Sequence, residues 1–124
     1  NDLLFDGISK SFNAAGRFSL TELYSVLKNC FLYIGPDSGP AHVAAAAGCR
    51  ILEISCHPEG GSTYSINSPE RFGPVADNVR IVRPLKAAEG CSDECGSLQA
   101  HCILNISPDE VLMAMDNLCK GYQK

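Results

Sequence analysis

No run of basic residues occurs in the 124-residue chain; its ten Lys and Arg are scattered, and 14 acidic residues leave a net charge of −4. Affinity for a nucleic-acid backbone comes from clustered Lys and Arg, so no nucleic-acid partner is expected. Long apolar runs are missing too. The longest uncharged apolar stretch, Ala41 to Cys49, consists mostly of small residues, whereas a bilayer-crossing helix needs about 20 predominantly apolar positions. No transmembrane segment is therefore expected. The first residues lack the basic region and apolar block of a secretory leader, which points to a cytoplasmic location. There is no internal repeat and no low-complexity tract.

What is present is 45% hydrophobic and 19% charged, the make-up of one soluble domain with a single core. The opening Asn1-Asp2-Leu3-Leu4-Phe5 begins without a methionine and reads as part of something longer, with Leu3-Leu4-Phe5 the end of a strand. Seven cysteines is a high and odd number. Cys30, Cys49 and Cys56 lie in or beside apolar segments, where a reduced cysteine serves as a small core residue.

Ser19-Leu20-Thr21-Glu22 has the form of a capping box. Leu20, Leu23, Tyr24, Val26 and Leu27 follow at the three- and four-residue spacing of a helix packed on a sheet. Phe31 to Ile34 is a continuous apolar run that predicts a strand buried on both faces and ended by Gly35 and Pro36. Pro40 suits the first position of a helix, Ala41 to Ala47 favours one, and Gly48 closes it. Arg50 to Ser55 reads as the next strand. Strand, helix and strand form a βαβ unit, which requires parallel strands and a right-handed crossover. Pro58 to Pro74 reads as a loop too long to be a passive connection. Val79 to Val82 is a third strand nearer an edge, and Ser107-Pro108-Asp109-Glu110 caps a last helix with Val111, Leu112, Met115 and Leu118 on its apolar face. The fold class is α/β: a Rossmann-like parallel sheet flanked by helices.

The chemistry concentrates between the first strand and the following helix. In a parallel sheet, ligands bind beyond the carboxyl ends of the strands, where the first helical turn offers N–H groups with partial positive charge. Gly39 leaves the backbone approachable, the Ser38 hydroxyl can donate to a phosphate oxygen, Pro40 opens the helix, and His42 lies in its first turn. Asp37 is an acceptor among donors, suited to sugar hydroxyls or to the His42 ring. A blander reading is that Asp37 and Ser38 only cap the helix. After the second strand, His57, Ser62 and Thr63 lie in a polar loop; for His57 the bland reading is a solvated loop histidine.

The stretch from Gly16 to Pro84 resembles the C-terminal domain of glycosyltransferase family 9, the ADP-heptose:lipopolysaccharide heptosyltransferases and their relatives. Gly16-Arg17-Phe18-Ser19-Leu20, Gly35 to His42 with Ala44-Ala45-Ala46 and Gly48, Arg71-Phe72-Gly73-Pro74, and Ser107 to Leu112 carry the likeness. The resemblance implies a GT-B enzyme of two Rossmann-like domains, with residues 1–124 an incomplete C-terminal donor-binding domain and the N-terminal acceptor domain absent. It implies a nucleotide diphosphate sugar such as ADP-heptose as ligand, held by Asp37, Ser38, Gly39, Pro40 and His42, with His57, Ser62 and Thr63 a possible donor loop where the family usually has a Gly- and Thr-bearing one. The acceptor-activating carboxylate is expected in the N-terminal domain, so no catalytic residue falls within this chain. Peripheral attachment to the inner membrane would come through the full-length protein. A non-catalytic nucleotide-sugar binding module is the competing reading, and a sugar-nucleotide epimerase fragment a third.

Cys91, Cys95, Cys102 and Cys119, with His101 beside the third, form a C-terminal set. Four thiolates can hold Zn or Fe tetrahedrally. Reduced loop cysteines, or a single disulfide, compete with that reading. Relatives that modify autotransporters carry a cysteine-ligated iron near this position, which adds a structural metal to what the resemblance implies. No cofactor is expected to be required for the chemistry itself.

Overall fold

The computed structural model describes residues 10–91 and 101–120. The strand end at Leu3-Leu4-Phe5 and the metal candidate Cys95 lie outside them. In chain order the elements are α1 (Leu20–Leu27), β1 (Leu32–Pro36), α2 (Gly39–Ala46), β2 (Arg50–Ile54), α3 (Pro69–Phe72), β3 (Val79–Val82) and α4 (Pro108–Cys119), with a 3₁₀ turn at Cys102–Asn105 ahead of α4.

The strands form a parallel sheet in the order β1-β2-β3, with Tyr33 beside Ile51, Gly35 beside Glu53, and Glu53 beside Ile81. β2 is the central strand, and Ile51, Leu52 and Glu53 in it are fully buried. The core on one side gathers Leu27, Ala44, Cys49 and Ile51, with Leu23, Tyr33, Val43 and Val79 packed around them. Leu52 points to the opposite face by strand alternation, and α4 packs on β2 and β3.

Local chemistry accounts for the helix boundaries. The Ser19 N–H donates to Glu22 Oε2 at 2.8 Å while Ser19 Oγ accepts from the Glu22 N–H; Ser107 and Glu110 repeat this reciprocal box at the start of α4. α2 ends in a Schellman motif: Cys49 N–H donates to Ala44 O and Gly48 N–H to Ala45 O, with Gly48 at φ +74°, a conformation costly for any residue bearing a Cβ.

Several expectations are corrected. β1 is not buried on both faces: Ile34 is 46% exposed and β1 is an edge strand among the described residues. β1 does end at Pro36, but Gly35 and Pro36 are its last two residues, in register with β2, rather than a break ahead of its end; a proline is tolerated at a strand margin where its missing N–H is not needed. On α1, Leu27 is buried, but Leu20, Tyr24 and Val26 are exposed, because the described residues supply a surface for only part of its apolar face. Cys49 is the buried member of the three expected core cysteines, whereas Cys30 and Cys56 are exposed. The long loop from Pro58 to Pro74 contains α3, a single helical turn.

That turn is anchored rather than free. Ser68, fully buried, donates through Oγ to Glu70, Glu70 pairs with Arg83, and Arg83 donates to the carbonyls of His57 and Pro58. These contacts tie the loop to the carboxyl end of the sheet.

Candidate functional site

β1 delivers Asp37 and Ser38 to the carboxyl edge of the sheet, and α2 starts at Gly39. Ser38 stands at the N-cap in an extended conformation, but its side chain makes no capping hydrogen bond. Its hydroxyl instead donates to Pro36 O at 3.2 Å and lies 3.3 Å from the Tyr33 hydroxyl. Tyr33 reaches it by folding over Gly35, where a Cβ would meet the phenol oxygen at 2.5 Å. The Ser38 side chain thus leaves the first turn of α2 uncapped; Pro40 has no N–H and the Ala41 N–H already donates to Ser38 O at 3.0 Å, so the N–H groups of Ser38 and Gly39 are the ones to offer to an anion. Pro40 lies in that turn. Nothing stands within 4 Å of the place a Cβ would occupy on Gly39, so a ligand can come close to the backbone. Asp37 Oδ1 lies 3.8 Å from His42 Nε2, within ion-pair range but too far for a hydrogen bond.

A cleft of about 510 Å³ opens here, and Asp37, Ser38, Gly39 and His42 line it. The remaining lining comes from the segment around α3: Ile66, Arg71, Phe72, Gly73 and Val75. Four of the five proposed donor residues are therefore gathered, while Pro40 is not among the lining residues. His57, Ser62 and Thr63 do not line the cleft either. His57 is buried, 3% exposed, with its ring packed where a Cβ on Gly61 would lie 2.7 Å away.

Glu53 and Arg71 were not among the expected site residues, although Arg71 belongs to the Arg71-Phe72-Gly73-Pro74 stretch that carries the family likeness. Glu53 is fully buried on the central strand, and among the described residues neither of its carboxylate oxygens has a hydrogen-bond partner. Burial pushes its carboxyl up to about 7; the charge of Asp37 adds to the shift and Arg83 opposes it. The signal in the sequence was a lone acid amid the apolar residues of Arg50-Ile51-Leu52-Glu53-Ile54. By contrast, Ser68 and Arg83 hold the Glu70 carboxyl down at about 2.

A second cluster lies apart from the cleft. Ligand atoms of Cys91, His101 and Cys102 lie within 4.8 Å of one another; His101 Nδ1 is 3.0 Å and its Nε2 4.0 Å from the sulfurs of Cys102 and Cys91 respectively. Two thiols and an imidazole suit Zn or Fe, so these residues could hold one ion. Among the described residues His101 thus joins Cys91 and Cys102, whereas Cys119, in the last turn of α4, is outside that group.

Among the described residues no helix is long and apolar enough to cross a membrane. No solved structure gives a significant match. The chain is 27% identical over 111 residues to lipooligosaccharide heptosyltransferase 2 of Haemophilus influenzae, covering 86% of this chain and 29% of that protein. It is 32% identical over 69 residues to the lipopolysaccharide core heptosyltransferase OpsX of the same organism, covering 54% of this chain and 17% of that protein. The chain thus spans less than a third of the length of these relatives. The family model for glycosyltransferase family 9 (heptosyltransferase) matches residues 3–101, most of the chain and all of the cleft-lining residues, so this protein belongs to glycosyltransferase family 9.

Proposed function

We propose that this chain is the donor-binding part of a GT-B glycosyltransferase that moves a heptose-like sugar from a nucleotide diphosphate to a lipopolysaccharide or protein acceptor. The observation that carries this is the cleft at the carboxyl end of a parallel sheet, where Asp37, Ser38, Gly39 and His42 meet the start of α2. Ser38 and the N–H groups of the first turn bind the diphosphate, with Pro40 setting the turn, and Asp37 accepts from sugar hydroxyls, which keeps its charge away from the phosphates. The reaction is a direct displacement with inversion: an acceptor hydroxyl attacks the anomeric carbon, the bond to the diphosphate breaks, and the electron pair leaves with it. Charge gathers on the departing diphosphate, where the helix start stabilises it. The base that takes the acceptor proton belongs to the N-terminal domain, so the chain alone binds donor and transfers nothing. In its parent protein it works in the cytoplasm, peripheral to the inner membrane.

His57, Ser62 and Thr63, none of them on the cleft, favour a second reading, a nucleotide-sugar binding module without catalysis. Calorimetry with ADP, UDP and GDP sugars, together with a transfer assay, tests both. Donor binding without transfer is expected of this chain; sugar transfer by the chain alone would overturn the assignment of the base to another domain, and no binding would overturn the donor site. At Cys91, His101 and Cys102 a Zn or Fe ion would have a structural role, holding the turn at Cys91 against the 3₁₀ turn.

A further inference from the structure

The donor-site residues on the β1–α2 side of the cleft are poor in positive charge. The helix start contributes the equivalent of about half a charge, and Asp37, in the same cleft, carries a full negative one. A nucleoside diphosphate sugar brings two more negative charges. Of the described residues lining the cleft, Arg71 alone carries a permanent positive charge.

Its surroundings prepare it for that task. One guanidinium nitrogen donates to Tyr64 O at 2.7 Å, and the group lies 4.9 Å from the centre of the Phe72 ring. These contacts orient the planar head while engaging few of its five donors. The turn that bears it is stapled to the sheet through Ser68, Glu70 and Arg83, so little order remains to be gained on binding. Ile66 and Val75, both exposed, line the same cleft.

We propose that Arg71 is the cation that binds the diphosphate of the nucleotide ligand, completing from the α3 turn the anion site that Ser38 and Gly39 begin. This rests on the donor-site reading above and names the residue that gives it affinity for a diphosphate over a monophosphate.

The test is calorimetric titration of the native protein and of Arg71→Ala, Arg71→Met and Arg71→Lys with ADP, AMP and adenosine, or the matching uridine or guanosine series where that binds better. Loss of the guanidinium should weaken diphosphate binding about 10- to 100-fold, weaken the monophosphate less and leave the nucleoside unchanged. Arg71→Met keeps an apolar stem over Phe72 and should match Arg71→Ala, while Arg71→Lys should retain part of the affinity. Native binding that persists undiminished in Arg71→Ala and Arg71→Met overturns this proposal and leaves the donor site standing. An equal loss for all three ligands also overturns it, because that is the mark of a structural role. A native protein that binds no nucleoside diphosphate overturns the donor site, and this proposal with it.

Discussion

Replacing Glu53 by Gln removes a buried ionisable group that has no hydrogen-bond partner among the described residues. In the native protein the carboxyl stands at about 7 against an ordinary 4.5, so the folded state holds a proton that the unfolded chain has already released between those values. Stability then falls as pH rises through this window, by up to about 1.4 kcal/mol per pH unit. The whole displacement corresponds to about 3 kcal/mol at most. Below about pH 4.5 both states are protonated and the penalty vanishes; above about pH 7 both are ionised and it is complete. Glutamine has nearly the same shape and cannot ionise, so Glu53→Gln should match the native protein near pH 5 to within about 1 kcal/mol. Near pH 8 it should be more stable by about 1 to 3 kcal/mol. Because an unpaired amide has its own pH-independent cost, the decisive quantity is the change in the difference between the two pH values, measured by urea unfolding with a common slope. Asp37→Asn should shrink that change, since Asp37 contributes to the shift. If the stability difference between native and Glu53→Gln proteins is the same at both pH values, the carboxyl is not held protonated by burial and the reasoning fails.

Three further outcomes are expected. The Glu70 carboxyl, held down at about 2 by Ser68 and Arg83, stabilises the fold above about pH 4.5 and loses that contribution as pH falls through 2; with the side chain 46% exposed the contribution is below about 1 kcal/mol. Glu70→Gln should accordingly speed amide exchange at residues 68–73 more than it lowers global stability. Ser107→Ala should cost about 1 kcal/mol by urea unfolding, because it breaks the capping box of α4. Metal analysis of protein purified without chelator or metal-affinity resin should find Zn or Fe near one equivalent, lowered by His101→Ala and Cys102→Ser but retained in Cys119→Ser; absence of both metals would remove the metal reading.

Local signals made much of this fold readable. The two capping boxes, the proline near the start of α2 and Gly48 at its end each specify a boundary through contacts within a few residues, and the βαβ order dictated a parallel sheet. Burial depends on neighbours that local pattern does not reveal. Phe31 to Ile34 has the composition of a central strand, yet β1 stands at an edge and the doubly buried strand is β2, which carries an acid. Much the same holds for the site. Residues Asp37 to His42 are contiguous, so their motif was visible, but Arg71 joins them through a fold of the chain 29 positions beyond His42. The C-terminal cysteines and His101 were visible as a set, but that His101 meets Cys91 and Cys102 follows from folding.

The claim at the centre is that the start of α2 receives the diphosphate of a nucleotide sugar. Titrating the isotopically labelled protein with ADP, UDP and GDP, each with its sugar conjugate, while following the amide signals of Ser38, Gly39, Ala41 and His42 tests it most directly. At least one nucleotide series should shift these signals saturably, with the largest changes at Ser38 and Gly39. If none of the six ligands moves them, the α2 start is not a donor site.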